Sequence, residues 1–433
     1  MPRRALLRRG GLPTGGAPLP QWAMIVHTQV TWSPGARRAI LELRAPPSAS
    51  QLLVPANLVD PSPRLALYSD GTCPIFAGIV HAVSGDGHLL LDFGDFRGPG
   101  PVGAAAARAR GGSTGPEGGA ETQPSIVRCV CNPLSGEVFR LPDVDVGGVP
   151  TFHSHGLLTG SARGHGPPDR YAVAEIGGVR GVGGPCYAFR RFLSQTGKWE
   201  ALVGLPAALP RPRPRPLCIR QEVLAFAGRL WWVDLSCGAL SLDPFTDQPD
   251  LRFVQLPDGR EVVMPMGARQ EGLYLSRRMG VSEGRLRYVE VTKEEPFVLS
   301  SFALDDDDGS CWTLEHQMVL SSTGLYVHGI HAPQQERLKI VVVDPLNASV
   351  VHLGIGNLAF AVDMSKEEVL GWSTIDEVDG ETGPHAYFKP CVLSPWLESS
   401  CIPSAGNLPS SKSNVKGKTL SDILVRVDRD VKN

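Results

Sequence analysis

A strand-turn-strand pattern recurs about every 53 residues along this chain and narrows its possible folds more than any other property. Each of five segments contains an apolar stretch, a polar turn and a second apolar stretch. In such turns an Asp or Asn side chain caps the backbone, Pro presets φ, and Gly or Asn accepts the left-handed conformation. The predicted hairpins are Val127–Leu141, Tyr187–Val203, Leu230–Leu256, Leu299–Leu314 and Lys339–Leu353, turning at Asn132–Gly136, Ser194–Gly197, Asp243-Pro244, Asp305–Gly309 and Asp344–Asn347.

An interval of about 50 residues is typical of a propeller blade of four strands. One such sheet cannot bury both of its apolar faces, so neighbouring sheets stack and radial closure covers the last one. Three hairpins also end in a Leu-Pro step, at 141–142, 205–206 and 256–257, where Pro would terminate a strand. We therefore predict an all-β fold, a kelch-like β-propeller of six to eight blades, mostly of four antiparallel strands.

The blade count depends on weaker segments at either end of the repeat. Ile79–Phe93 predicts a hairpin across Ser84–Gly87, and Ala23–Leu43 predicts another around Ser33-Pro34-Gly35. The stretch Val369–Val392 adds a final candidate. Among the ordered parts, only Ser365–Leu370 has a helical composition.

Composition and length define the domain organisation. At 433 residues the chain exceeds the size of one ordinary core, and its 49 Gly and 38 Pro favour short strands joined by turns. We predict a disordered basic head at 1–19, a single propeller-like domain at 20–397 and a mostly disordered polar tail at 398–433. Within the domain, the Gly/Ala-rich stretch 98–124 predicts a disordered insertion, and the alternating prolines of 206–216 predict a stiff spacer.

Charge and cysteine usage exclude several function classes. The net charge of −2 argues against a nucleic-acid partner, and no apolar run reaches the 18 residues of a membrane span. Nine scattered cysteines, an odd number, favour a reduced intracellular compartment, cytoplasmic or nuclear. The arginines of the head lack the Ser content and the amphipathic face of a transit peptide, so organelle targeting is not expected.

Bulky aromatic residues recur on the predicted strands, where they fill the space between stacked sheets better than they would stack on a ligand. They are Trp199, Trp231, Phe253 and Trp312.

No constellation of reactive residues is complete in the sequence. His153, His155 and His165 lack a matching Cys or carboxylate for a zinc site, so a solvated Gly-rich loop is the preferred interpretation. Cys129 and Cys131 share one face of a strand as small core residues. We predict no catalytic, cofactor-binding or metal residues, and no cofactor.

Two other patterns have simple structural explanations. The run Asp305–Asp308 lacks the ligand spacing of a calcium loop and predicts a solvated hairpin tip. The stretch Gly177–Gly184 lacks dinucleotide-binding spacing and predicts a flexible loop.

Several segments resemble a plant family, expanded in grasses, that is known as domain of unknown function 1618. The segments are Pro20–Ile25, Gly228–Asp234, Ser276–Gly280, Leu286–Val289 and Trp312–Leu314, and the resemblance spans roughly Leu19–Leu397. It implies a propeller-like fold similar to F-box-associated domains, without an established activity or catalytic residues. The insertion at 98–124 departs from the family pattern, and no F-box-like helical module is expected before the first strand.

A repeat fold without a complete active site favours an interaction scaffold or adaptor over an enzyme. The expected partner is a protein or peptide, and the sequence does not define its identity or the oligomeric state. One alternative is a propeller hydrolase or lyase, because His and Asp residues from distant blades could meet at the channel mouth. Another is a glycan-binding propeller that uses exposed Trp side chains.

Overall fold

The structure is a computed structural model that describes residues 19–31, 35–59, 72–99, 126–144, 154–164, 166–181, 184–206, 217, 222–263, 271–305, 311–321, 330, 337–375 and 388–404. The residues of the predicted head before 19, those of the insertion from 100 to 124, those of the spacer from 207 to 216 and those of the tail after 404 lie outside these ranges.

The described chain forms five β-sheets, which confirms the predicted all-β class. Sheet 1 has eight strands: β1 (Trp22–Thr31), β2 (Ile40–Glu42), β3 (Ala49–Pro55), β4 (Thr72–Val83), β5 (Leu89–Pro99), β6 (Val127–Cys131), β7 (Val138–Arg140) and β24 (Lys389–Val392). Two short helices, α1 (Ala56–Val59) and α2 (Glu271–Ser276), were not predicted.

The other four sheets each have four antiparallel strands in chain order. Sheet 2 contains β8 (His155–Gly160), β9 (Arg170–Gly181), β10 (Gly184–Leu193) and β11 (Lys198–Pro206). Sheet 3 contains β12 (Glu222–Phe226), β13 (Arg229–Asp234), β14 (Gly238–Leu242) and β15 (Arg252–Gln255). Sheet 4 contains β16 (Arg277–Ser282), β17 (Arg285–Val291), β18 (Phe297–Leu304) and β19 (Trp312–Leu320), and sheet 5 contains β20 (Lys339–Val343), β21 (Val350–Ile355), β22 (Leu358–Asp363) and β23 (Glu368–Thr374).

Strand β1 joins the two ends of the described chain. It pairs antiparallel with β24, parallel with β3 and, at His27 and Thr28, antiparallel with β4. The predicted hairpin Ala23–Leu43 is therefore wrong, because β3 and β24 occupy the edges of β1 and β2 pairs with β3 instead.

The turn chemistry is confirmed at three predicted hairpins. In each, the carboxylate or amide oxygen of the first turn residue accepts backbone N–H groups two or three residues later. These residues are Asn132, Asp243 and Asp344, whose Oδ1 atoms accept bonds of 2.8 to 3.1 Å.

Some local predictions were wrong. The segment Leu230–Leu256 holds three strands, because a second Asx turn at Asp234 separates β13 from β14. Ser365–Leu370 is a turn followed by β23, since Asp363 Oδ1 accepts hydrogen bonds from the N–H and hydroxyl of Ser365. Most of Gly177–Gly184 is strand, because β9 and β10 pair along their length.

The Leu-Pro steps mark the ends of fourth strands. Strand β11 includes Pro206, and the steps at 141–142 and 256–257 follow β7 and β15 directly. Two Trp side chains reinforce these positions from the next fourth strand: Trp199 Nε1 donates to Pro142 O and Trp312 Nε1 donates to Gln255 O, each at 2.8 Å. Both aromatics thus lie between sheets, as predicted.

Neighbouring sheets share buried apolar clusters. Phe189 and Trp232 pack between sheets 2 and 3, and Trp231 and Tyr288 pack between sheets 3 and 4. The first strands of sheets 2 to 5 also contact one another and two strands of sheet 1: β4 contacts β8, β8 contacts β12, β12 contacts β16, β16 contacts β20, β20 contacts β24, and β24 contacts β4. The sheet-to-sheet contacts therefore return to their starting point.

Two other apolar clusters contain the cysteines predicted as core residues and the first part of the predicted tail. Cys129 and Cys131 are buried in the apolar interior of sheet 1, which confirms their predicted core role. Ile402 is buried between sheets 1 and 2, so the packed structure extends into the segment predicted as tail. None of the described helices is long and apolar enough to cross a membrane.

Candidate functional site

The innermost strands of sheet 1 assemble a His-acid-Arg group. A register shift between Val80 and Ala82 re-aims the strand at His81, as β-bulges do. The Nδ1 atom of His81 lies 3.4 Å from Asp92 Oδ2 on β5, and Arg128 Nε on β6 lies 3.4 Å from Asp92 Oδ1. Three adjacent strands thus place a base, an acid and a fixed cation in one row.

Sheet 2 repeats the same order of residue types on its first three strands. His155 on β8 pairs with Glu175 on β9, which pairs with Arg190 on β10. Glu175 is fully buried. Burial alone would raise the pKa of its carboxyl, but the hydrogen bonds and charges of His155 and Arg190 outweigh that effect and lower this pKa.

A backbone hydrogen bond joins the two rows. His155 N–H donates to His81 Nε2 at 3.0 Å, and the two imidazole rings meet edge to face with centroids 5.1 Å apart. Burial, the largest cause, lowers the pKa of His81 to about 4, although Asp92 opposes the shift. His81 is therefore neutral at pH 7, and its proton resides on Nδ1, facing Asp92.

A third group lies on β12, β16 and β24, which belong to sheets 3, 4 and 1. Arg278 on β16 contacts Glu222 on β12 at 2.9 Å and donates to Phe388 O at 2.7 Å. Lys389 Nζ on β24 lies 3.9 Å from the same carboxylate. Burial lowers the pKa of Lys389 to about 8, with Glu222 opposing the shift. These buried charges compensate one another.

The two histidines and Asp92 place three donor atoms within 4.8 Å, a spacing that could suit a metal ion. The hydrogen bonds argue against it: His81 Nε2 already accepts the His155 N–H, so its neutral ring has no lone pair left at Nδ1. Arg128 and Arg190 also pair with the two nearby carboxylates, and these positive charges repel a divalent cation. The described residues fit a hydrogen-bonded neutral imidazole better than a metal ligand.

Turns from three sheets border an open cleft of about 250 Å³, here called the rim cleft. It is bounded by the β4–β5 turn, by the end of β8 with the turn that follows it, and by the β12–β13 turn. Its described lining is Gly85, Asp86, Leu158, Thr159, Gly160, Ser161, Gly164, Gly166, Pro168, Ala225, Phe226, Ala227 and Gly228. Positive φ angles at Gly164, Gly166 and Gly228 explain why glycine stands there.

Asp86 braces two walls of the rim cleft. Its Oδ1 atom accepts hydrogen bonds from Ser84 Oγ at 2.5 Å and Thr159 Oγ1 at 2.8 Å, and it lies 3.2 Å from His88 Nδ1. Burial alone would raise the pKa of Asp86, but the hydrogen bond and charge of His88 and the hydroxyl bonds lower it. The carboxylate is therefore ionised at neutral pH.

The sequence prediction missed the principal site residues. His155 was assigned to a solvated loop, which is wrong: it begins β8 and is 1% exposed. His153 and His165 lie outside the described residues, so their predicted role stays a prediction. The acids that accompany the histidines follow no sequence spacing, because cross-strand register brings them together. The glycan-binding alternative requires at least one exposed Trp side chain. Trp372 is 48% exposed and meets that requirement.

The fold and its candidate sites thus define an all-β protein of five successive sheets, four of them wholly antiparallel, with buried ionisable side chains on their inner strands. Residues 232–352 match the family described as "Protein of unknown function (DUF1618)". This match contains the resembling segments Ser276–Gly280, Leu286–Val289 and Trp312–Leu314 and covers part of the span that the sequence predicted.

Comparison with individual known proteins gives no further information about fold or activity. No curated protein matches the sequence. A solved protein assigned as a 6-phosphogluconolactonase from Bacteroides uniformis is similar at 11% identity and a TM-score of 0.29, over 59% of this chain and 80% of that one. A β-1,2-mannobiose phosphorylase from Listeria innocua is similar at 13% identity and a TM-score of 0.24, over 74% of this chain and 95% of that one. Both likenesses are too low to carry an argument about fold or activity.

Proposed function

We propose that this protein is an intracellular plant interaction scaffold built as a six-unit β-propeller. Five units would be β4–β7 and sheets 2, 3, 4 and 5, and the sixth would be β24, β1, β3 and β2 in that order. Two observations support the arrangement: the first strands contact one another in a sequence that returns to its start, and β24 pairs with β1. Six units agree with the predicted range of six to eight.

The rim cleft carries the proposal of a binding role. Turns of three units converge there, whereas the inner ionisable side chains are buried and paired with one another. Buried charges that are paired with one another have little capacity to act on a substrate, while turns at one end of a rigid scaffold are where binding residues concentrate. The proposed partner is a protein or peptide that approaches this end of the scaffold.

Site-specific photocrosslinking in plant cells tests the binding role. The crosslinking residue would replace Ala227, which is exposed at the rim cleft, or, in matched controls, Val319 on β19 and Leu370 on β23, which are exposed elsewhere. We expect one reproducible partner from position 227 and not from the controls. The same capture pattern at all three positions, or none at 227, contradicts the proposal.

The paired histidines favour a second candidate, a hydrolase or lyase. Both His-carboxylate pairs lie within reach of a hydrogen bond, which satisfies the geometric condition for this alternative. A neutral His81 could accept a proton from a substrate if its bond to His155 opened. Activity screening of the full chain against His81→Gln and His155→Gln variants tests it: a turnover that both variants abolish, while they remain folded, would favour the enzyme over the scaffold.

A further inference from the structure

We propose that the rim cleft binds the side chain of an arginine or lysine from the partner. This inference rests on the proposed scaffold function and names the chemistry of that same site.

The lining combines apolar and polar residues. Leu158, Pro168 and Phe226 offer carbon surface, whereas Asp86, Thr159 and Ser161 offer oxygen acceptors. A long basic side chain has the same division, because its methylene stem prefers apolar contact and its charged head prefers oxygen. A volume of about 250 Å³ is large enough for one such side chain.

Asp86 supplies the charge that selects a cation. It is the one carboxylate among the described lining residues, and it is ionised at neutral pH. Its Oδ1 atom takes all of its hydrogen bonds, while Oδ2 is buried and has no partner among the described residues. A poorly solvated, ionised carboxylate in the wall of a cleft attracts a cation more strongly than a neutral group, and Oδ2 would turn toward the cleft to meet that cation.

Two arginines lie near the cleft and could oppose the binding of a cation. Arg163 is exposed on the turn after β8, and the Arg170 guanidinium lies 4.5 Å from the centroid of the Phe245 ring. Neither side chain lines the cleft, and the nearby Asp169 carboxylate accepts the Ala162 N–H. Asp86 is therefore the carboxylate that the described lining offers to a bound cation.

Titration of the full chain with two short peptides tests the proposal. The probes are Gly-Gly-Arg-Gly-Gly and its citrulline counterpart, which keeps the shape but loses the charge, followed by TROSY NMR of deuterated protein. We expect saturable shifts at Gly85, Thr159 and Gly228 with the arginine peptide, and at least tenfold weaker binding of the citrulline peptide. Asp86→Asn should weaken arginine binding at least tenfold, whereas the matched variant of an exposed distant carboxylate, Asp143→Asn, should not.

A second variant covers the case in which Asp86→Asn disturbs the turn. Ala227→Trp should fill the cleft from its exposed rim without changing Asp86, and it should abolish the shifts in a protein that remains folded, although the left-handed backbone of Ala227 (φ 49°) lowers the stability of this variant somewhat. Equal binding of both peptides, no shifts at the cleft, or binding unchanged in Ala227→Trp overturns the inference. The scaffold function survives that result if position 227 still crosslinks a specific partner, and both fail if it does not.

Discussion

Glu175 offers a direct measure of how much the buried ionic row of sheet 2 contributes to stability. Its carboxylate is fully buried and contacts both His155 and Arg190, whose side chain is 10% exposed. Glu175→Met keeps the approximate volume but removes the carboxylate that Arg190 contacts. Loss of one partner of a buried ion pair destabilises a protein by about 3–5 kcal/mol.

Guanidinium unfolding of the full chain, followed by Trp fluorescence, provides the assay. The double variant Glu175→Met with Arg190→Met should recover most of the loss and unfold within about 1–2 kcal/mol of the wild type, because no uncompensated charge then remains. A control on the same sheet is Glu200→Met, since Glu200 is 43% exposed and pairs with Arg191 at 2.9 Å. It should cost no more than about 1 kcal/mol.

The comparison between the single and double variants shows whether Glu175 and Arg190 stabilise the protein as a coupled pair. If Glu175→Met costs no more than Glu200→Met, or if the double variant is as unstable as the single one, then the ionic row does not act as a coupled unit. The pH dependence gives a second check, because the pKa of Glu175 is lowered in the folded state. Its stabilisation is present above the pKa of the unfolded chain and is lost as the pH falls below it, so Glu175→Met should flatten the acid limb of the stability curve.

Three further variants test other parts of the structure. The pKa of His81 is lowered from 6.5 to about 4, so the wild type should lose about 2 kcal/mol between pH 8 and pH 5 as the unfolded chain takes up the proton first, and His81→Gln should remove that loss in denaturant titrations. Lys389→Met should stabilise the protein by about 1–3 kcal/mol at pH 7 and remove the rise in stability expected from pH 8 to pH 10, because burial disfavours the charged amine. A destabilised Lys389→Met would refute that reasoning. Trp312→Phe loses the hydrogen bond to the preceding sheet and should cost about 1 kcal/mol or more, against less than 0.5 kcal/mol for the exposed Trp372→Phe, as measured by thermal unfolding.

The sequence predicted those parts of the fold that depend on local chemistry. Asn132, Asp243 and Asp344 each build a turn from atoms within three residues, so their hairpins could be recognised from spacing alone. The Leu-Pro steps similarly mark strand ends without any distant partner. Where a distant partner decides the outcome, prediction failed: β1 pairs with strands from both ends of the described chain, and the turn signal at Pro34-Gly35 contains no trace of that pairing.

The candidate sites could not be predicted for the same reason. His81 and Asp92 face each other only because of a bulge in β4 and the register between β4 and β5. His155 and Glu175 lie twenty positions apart and meet as direct cross-strand neighbours. A search for His and acidic residues on successive predicted strands, flanked by an Arg on the third, would have been the one available signal.

The pairing of β1 with β24 has a consequence for how the protein is made. Ile25 and Lys389 are register partners, yet synthesis at 5–20 residues per second separates their emergence from the ribosome by roughly 20 to 70 s. During that interval the first strand leaves the ribosome with one edge uncovered, a condition that invites association with other nascent chains. We therefore expect a chaperone to protect β1 until β24 has been synthesised.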